Sequence, residues 1–445
     1  MEEFFELFKT PWEMYRPGRA YDVVVATGDV LAGVNGKLLL VYGAAAKDVD
    51  ARIGVCGSGL HQSALLRHRG ILFPIYGELL TFANRGERVC CVTANSEAAG
   101  VEGCQAECKV VRLGYDLFDE VRFLLSTGQP IEHAEVPTLE IHIGMLREWI
   151  LSAGIPFLEI PPAPAGYKCA VCLTHDIDFV GIRNHRFDHT MWGFVYRATV
   201  GAVRNVARGR LSWAHMLESW RAVASLPLVY AGWKKDFWEP FGWYLRVERG
   251  LPATYFLIPF KRRAGQKVPG RNGGRRATAY DVGDLSQWRR ILMEEGCEIG
   301  VHGIDAWHSA ERGREELSKV AAGTENARTG IRMHWLLRDA ETPTVLERAG
   351  YAYDSTIGYN ETVGYRAGTG QVFRPLGAHA LLELPLHIQD GALFYRQRLD
   401  LSEPEAETRC QALIEDVCEF GVCLRCCGMT EAMPPSASGE LFTCA

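Results

Sequence analysis

The stretch Ala170-Val-Cys-Leu-Thr-His-Asp-Ile-Asp178 decides how the rest of this chain is read. An apolar, β-branched run ends abruptly in the polar cluster Thr174-His175-Asp176-Ile177-Asp178. Side chains alternate with period two along a strand, so Asp176 and Asp178 leave the same face at its C-terminal end. Two carboxylates that close repel each other unless a cation or a shared proton lies between them. In parallel α/β architectures, that end of the strand is where active sites collect. An Asp-rich turn would read the same way in isolation, because aspartate is a common turn residue. The surrounding chain has to decide between the two.

Working outward, a unit of amphipathic helix, glycine and short strand recurs. It appears as Trp243–Arg249, Gly250 and Ala253–Ile258, then as Leu285–Glu295, Gly296 and Glu298–Val301, then as Thr344–Ala349, Gly350 and Tyr351–Tyr353. Upstream, Ile141–Ala153, Gly154 and Pro156–Ile160 follow the same grammar. The glycine supplies a left-handed C-cap, and Thr342-Pro343 adds an N-cap and a first-turn proline. Strands alternating with helices of this length predict βα units around a parallel sheet, open or closed into a barrel. The Pro-rich joint Ile160-Pro-Pro-Ala-Pro-Ala-Gly166 sets a domain boundary at about residue 165. Residues 1–165 read as a smaller α/β domain with strands at Val23–Ala26, Leu38–Tyr42 and Val89–Thr93, and with no assignable chemistry. Gly57-Ser58-Gly59 is too short for a phosphate loop, and Cys104-x-x-x-Cys108 lacks the second ligand pair a zinc site needs.

Composition narrows the class. The 445 residues are 47% apolar and 23% charged, with a net charge of −6, ordinary for a globular chain and no invitation to nucleic acid. The opening Met1-Glu-Glu-Phe-Phe-Glu is acidic where a signal peptide is basic, and no apolar run approaches the ~18 residues of a membrane span. A cytoplasmic location is expected. The 14 cysteines are scattered and are expected to be reduced and mostly buried. A long connection at about 181–238 reads as a helical insertion. Its arginines at 197, 204 and 208 share a helical face, with Trp192, Phe194 and Tyr196 interleaved. The plain reading is a solvated basic stripe. The alternative is contact with a membrane surface through residues 190–210.

Further polar clusters follow the later strands: His302 in Glu298-Ile-Gly-Val-His302-Gly-Ile-Asp-Ala-Trp-His308, Arg332 in Gly330-Ile-Arg332-Met-His334-Trp, Asp354 in Tyr351-Ala-Tyr-Asp354-Ser355, and His387 in Leu381-Leu-Glu-Leu-Pro-Leu-His387. A lone histidine at a strand end is usually structural. Asp, His and Arg recurring at successive strand ends is what metal-assisted hydrolysis needs.

The order and spacing of these motifs resemble the NodB-like polysaccharide deacetylases over roughly Lys168 to Phe420. The resemblance implies a distorted (β/α) barrel over 166–422 and metal-dependent hydrolysis of a non-peptide amide bond, such as N-deacetylation or N-deformylation of an amino sugar in a polysaccharide, lipid-linked or nucleotide-linked glycan. By that resemblance Asp176 is the general base and Asp178 and His302 are metal ligands. The family places a second ligand histidine four residues after the first, where this chain has Ala306, so His308 is the nearest candidate. Arg332 would orient the base, although His334 stands where the family has proline. Asp354 would tune the acid histidine and His387 would be the general acid. Asp and His ligands suit zinc, and also cobalt, nickel or iron. The partner expected is a carbohydrate bearing an N-acyl amino sugar. A catalytically silent glycan-binding relative is the alternative, because the second motif is irregular.

After Gly421 the chain reads Val-Cys-Leu-Arg-Cys-Cys-Gly-Met-Thr-Glu. The crowded Cys423, Cys426 and Cys427 have no second pair to make a zinc or redox motif. Codons exist for which the neighbouring frame reads Val-Leu-Thr-Val-Leu-Trp-His-Asp-Arg, a buried strand. Residues 423–445 are therefore expected to be an irregular, frameshifted tail that lacks the strand closing the barrel.

Overall fold

The computed structural model describes residues 1–429 except 30–33, 35, 84–88, 106, 210, 269–275 and 325–327. The chain divides into two compact units, Met1–Gly166 with Tyr365–Leu376, and Tyr167–Gly364 with Gly377–Ala445.

The first unit is built on a nine-stranded sheet. Val23–Ala26, Leu38–Tyr42 and Cys108–Leu113 run parallel, and the remaining strands pair antiparallel. The fully buried Arg112 bonds Asp50 at 2.7 Å and the Gly43 carbonyl at 2.8 Å, so its charge is met inside the unit. Helix Thr138–Ser152 buries Trp149 and carries Glu140, which accepts from Gln371 at 3.0 Å in the returning segment. Pro156–Ile160, expected as a strand, joins no ladder. Pro156 has no N–H to give, and the Ile160 N–H goes to the Lys9 carbonyl at 3.0 Å instead.

The strands of the second unit are numbered here β1 (Ala170–Ile177), β2 (Ala253–Leu257), β3 (Glu298–Gly303), β4 (Gly330–Met333), β5 (Tyr353–Asp354), β6 (Leu382–Glu383), β7 (Ile388–Gln389) and β8 (Cys423–Met429). Every pairing is parallel, in the order β6-β5-β4-β3-β2-β1-β8-β7. The end strands β6 and β7 are consecutive in the chain, separated only by residues 384–387. The sheet is therefore curled, with its two edges joined by that short segment.

Period-two alternation divides the residues of this sheet. Tyr255, Leu257, Ile299, Val301, Ile331 and Met333 form one buried apolar cluster with Leu292 and Leu346 from the covering helices. Burying such a side chain contributes about 1.5–3 kcal/mol, so this face supplies much of the unit's stability. The other face carries Thr254, Glu298, His302 and Arg332. It is crowded: a Cβ on Gly330 would fall 1.9 Å from the Tyr353 ring. Helix Thr342–Ala349 stops at Gly350, whose φ of 100° is the left-handed cap read from the sequence.

The tail expectation is corrected over Cys423–Met429. These residues form β8, pairing with β1 in register from Ala170↔Cys423 to Asp176↔Met429. Leu424, Arg425 and Cys427 are buried, which a strand flanked on both edges and both faces demands, and cysteine serves there as a small hydrophobe. The remainder of the expected tail, 430–445, lies outside the described residues.

Between β1 and β2 the connection is helical. His189–Tyr196, the π-type turn Arg197–Gly201 and Ala202–Ala207 form one continuous run, followed by Trp213–Tyr230. Asp236 closes the base of the insertion, its carboxylate accepting the N–H groups of Ile182, Arg183 and Trp238, each at 3.0 Å.

Candidate metal centre

The C-terminal ends of β1, β3 and β4 bring three side chains together. Asp178 Oδ1 lies 3.3 Å from His302 Nε2 and 3.2 Å from His334 Nε2, and all three residues are buried. One ligand atom from each falls within 4.8 Å of the others, the arrangement that could hold a metal ion. The polar atoms have little else to do. Asp178 Oδ1 and His302 Nε2 are buried without a hydrogen-bond partner despite their proximity. Ion ligands at about 2.0–2.2 Å in a tetrahedral shell stand roughly 3.4 Å apart, close to the separations found. His302 Nδ1 faces the Arg332 carbonyl at 3.0 Å, which assigns its hydrogen to Nδ1 and leaves Nε2 as the free donor atom.

The electrostatics agree with that fit. Burial works to raise the Asp178 carboxyl, but His334 and His302 beside it outweigh burial and hold it below its usual range. Burial drives His334 down to about 4, so this imidazole is neutral and keeps one ring nitrogen's lone pair for an ion. Burial also pulls on His302, yet Asp176 and Asp178 together carry it above its usual value. A divalent ion would meet the negative charge that Asp176 and Asp178 place beside His302.

Asp176 stands one alternation below Asp178 and takes no part in the ion group. Its Oδ1 accepts from Arg332 Nη1 at 2.9 Å. The same guanidinium bonds Thr174 Oγ1 (2.9 Å), the Ser355 carbonyl (3.0 Å) and Ser355 Oγ (2.9 Å), and it lies over the Phe256 ring. Arg332 therefore fixes Asp176 against three strands at once. Tyr280 ties down the turn beneath, its hydroxyl donating to the Ile177 carbonyl.

One expectation is corrected. His308 is not in the ion group; its Nε2 lies 3.3 Å from Asp305 at the half-buried start of helix Ala310–Ala321. Its place is taken by His334, one alternation beyond Arg332. The sequence held the signal: Asp176-x-Asp178 and Arg332-x-His334 are matching period-two pairs, with Arg332 on Asp176 and His334 on Asp178. Asp354, expected to tune the acid histidine, lies on β5. Its neighbours Tyr353 and Ser355 face Glu298 and Arg332, so alternation turns Asp354 to the other face. There it sits in register with Glu383, a buried carboxylate the sequence reading passed over. Burial raises Asp354 to about 6, and burial with the neighbouring Asp354 carries Glu383 well above the usual range.

His387, between β6 and β7, is buried beside β8. Its Nδ1 accepts the Arg425 backbone N–H at 3.2 Å, and the His387 backbone N–H donates to the Arg425 carbonyl at 3.2 Å. A backbone donor from β8 thus meets this ring at Nδ1.

No family model matches this chain, and no curated protein matches it in sequence. Among solved structures it is similar to a Mycobacterium smegmatis protein assigned as a polysaccharide deacetylase, at 16% identity and a TM-score of 0.35, over 62% of this chain and 82% of that one. It is also similar to Puue allantoinase, at 11% identity and a TM-score of 0.34, over 63% and 83% of the two chains.

Proposed function

We propose that this protein is a metal-dependent hydrolase of a non-peptide amide bond, with an N-acyl amino sugar as substrate class. One observation carries the reading: a buried Asp178–His302–His334 group sits beside a second carboxylate, Asp176, that Arg332 holds outside it. Asp178, His302 and His334 would hold a divalent ion, of which zinc, cobalt, nickel and iron all suit the donor set. When bound, such an ion supplies Lewis acidity and a more acidic bound water. Asp176, held by Arg332 at 2.9 Å and outside the ion group, is placed to accept a proton from the attacking water. A distorted barrel is the form of the curled parallel sheet that fits this reading.

A second reading is supported by His387. An imidazolium acting as general acid carries a proton on each ring nitrogen, whereas Nδ1 here accepts a backbone N–H. That contact opposes the imidazolium. It favours a catalytically silent, glycan-binding role unless the ring turns on substrate binding.

The test is metal content by plasma emission, with wild type beside Asp178→Ala and His302→Ala, followed by hydrolysis screens on N-acetyl and N-formyl amino sugars. About one ion per chain is expected in wild type and none in either variant. Folded wild type that takes up no zinc or cobalt would sink the hydrolase reading. An ion without hydrolysis, but with sugar binding, would favour the silent one.

A further inference from the structure

The insertion springs from β1 immediately after Asp178, and its helices are apolar on two opposite sides. In the first run, Met191, Phe194, Ala198 and Ala202 are buried, and in the second Met216, Ala222, Leu226 and Val229. A helix turns about 100° per residue. The side facing away from the first buried stripe therefore presents Trp192, Tyr196, Val200 and Val203, and that facing away from the second presents Trp213, Leu217, Trp220 and Leu228, all exposed. A solvated outer face would be polar. Here Trp192 is 58% exposed and Trp213 70%, with Phe187 at 77% and Trp233 at 83% at the two ends of the insertion.

Charge follows the same surface. Arg197, Arg204 and Arg208 form a row beside the Trp192–Val203 stripe, and Arg204 Nη1 donates to the Tyr196 hydroxyl at 2.9 Å. Residues 189–217 contain four arginines, counting Arg210, and no carboxylate. Among the described residues no helix is long and apolar enough to cross a membrane. Tryptophan and tyrosine rings beside a row of arginines are the chemistry that lies in a bilayer interface, rings at headgroup depth and guanidinium groups on phosphates. A second copy of the chain fits less well. A symmetric contact would set this arginine row against itself with no acid in residues 189–217 to meet it.

We propose that the insertion is a docking element for an anionic phospholipid bilayer. The test is flotation of the full chain with phosphatidylcholine vesicles, with and without phosphatidylglycerol, alongside tryptophan emission. Wild type is expected to float with the anionic vesicles, with a blue shift, and to be released by salt. Arg197→Gln with Arg204→Gln should weaken partitioning roughly thirtyfold. Trp192→Ser with Trp220→Ser should weaken flotation and shrink the blue shift, leaving only what Trp213 and Trp233 report. Both pairs are exposed, so circular dichroism and metal content should stay at wild-type values. Wild type that remains free of anionic vesicles overturns the proposal, as does floating that neither variant alters. Concentration-dependent dimers that Trp192→Ser dissolves would assign the face to a second copy and overturn it too.

Discussion

At the scale of single residues, the choice between His334 and His308 is the sharpest consequence of the geometry. His334 Nε2 meets Asp178 inside the buried group, whereas His308 is paired with Asp305 at the half-buried start of a helix. His334→Ala is expected to lower bound metal by at least roughly tenfold, and His308→Ala to leave it within about twofold of wild type, by dialysis against a metal buffer. The reverse pattern would return the third ligand to the loop after β3. Asp176, Asp178, His302 and Arg332 were legible in the sequence because each is tied to a strand end and to a period-two face. His334 was not, because the family spacing directs attention four residues past His302. Which side chains share a mouth is set by strand register, here His302 beside Arg332, rather than by distance along the chain.

Among elements, the loop that follows β3 depends on a buried carboxylate. Glu316, in helix Ala310–Ala321, accepts the Ile304 N–H at 2.9 Å and the Asp305 N–H at 2.7 Å, one on each oxygen. Those residues lie two and three positions after His302, so the helix holds the turn that leaves β3 in place. Burial outweighs both hydrogen bonds and raises Glu316 from 4.5 to about 7. The folded chain then holds a proton between pH 4.5 and 7 that the unfolded chain has released. Its contribution to stability is complete below pH 4.5 and falls as pH rises to 7, by up to about 1.4 kcal/mol per unit. Glu316→Gln cannot titrate and keeps only one carbonyl acceptor for two N–H groups. It should flatten that part of the urea-midpoint profile between pH 5 and 7 and lower the midpoint at pH 5, where leaving an N–H unpaired costs about 1–3 kcal/mol. An unchanged pH slope would mean that Glu316 is ionised in the fold throughout. The element pattern itself was readable: the glycines at 250, 296 and 350 all take positive φ at helix ends. Pro156–Ile160 looked like the same unit and was not, because a strand exists only where a neighbour accepts its ladder.

For the molecule as a whole, composition and the Pro-rich joint could not reveal two long-range facts. Tyr365–Leu376 returns to the first unit, and β8 inserts between β1 and β7. Both depend on contacts hundreds of residues apart, such as Thr174 Oγ1 donating to the Cys426 carbonyl at 2.8 Å. A crowd of cysteines hid β8, since strand propensity is judged from β-branched and aromatic residues. Its position makes a strong expectation. β8 pairs with β1 from Ala170 to Asp176, along the strand that carries Asp176 and leads into Asp178, and it bonds His387 through Arg425. A chain ended after Val422 would leave the β1 edge unpaired and remove buried Leu424, Arg425 and Cys427. Such a chain is expected to lose the near-ultraviolet circular dichroism of the second unit's tryptophans and to bind no ion, even when zinc is added at purification. If it instead bound one ion per chain with wild-type affinity, β8 would be dispensable to the centre. The alignment of Asp176 and Asp178 would then have to come from β2, whose register with β1 runs from Leu173↔Ala253 to Ile177↔Leu257.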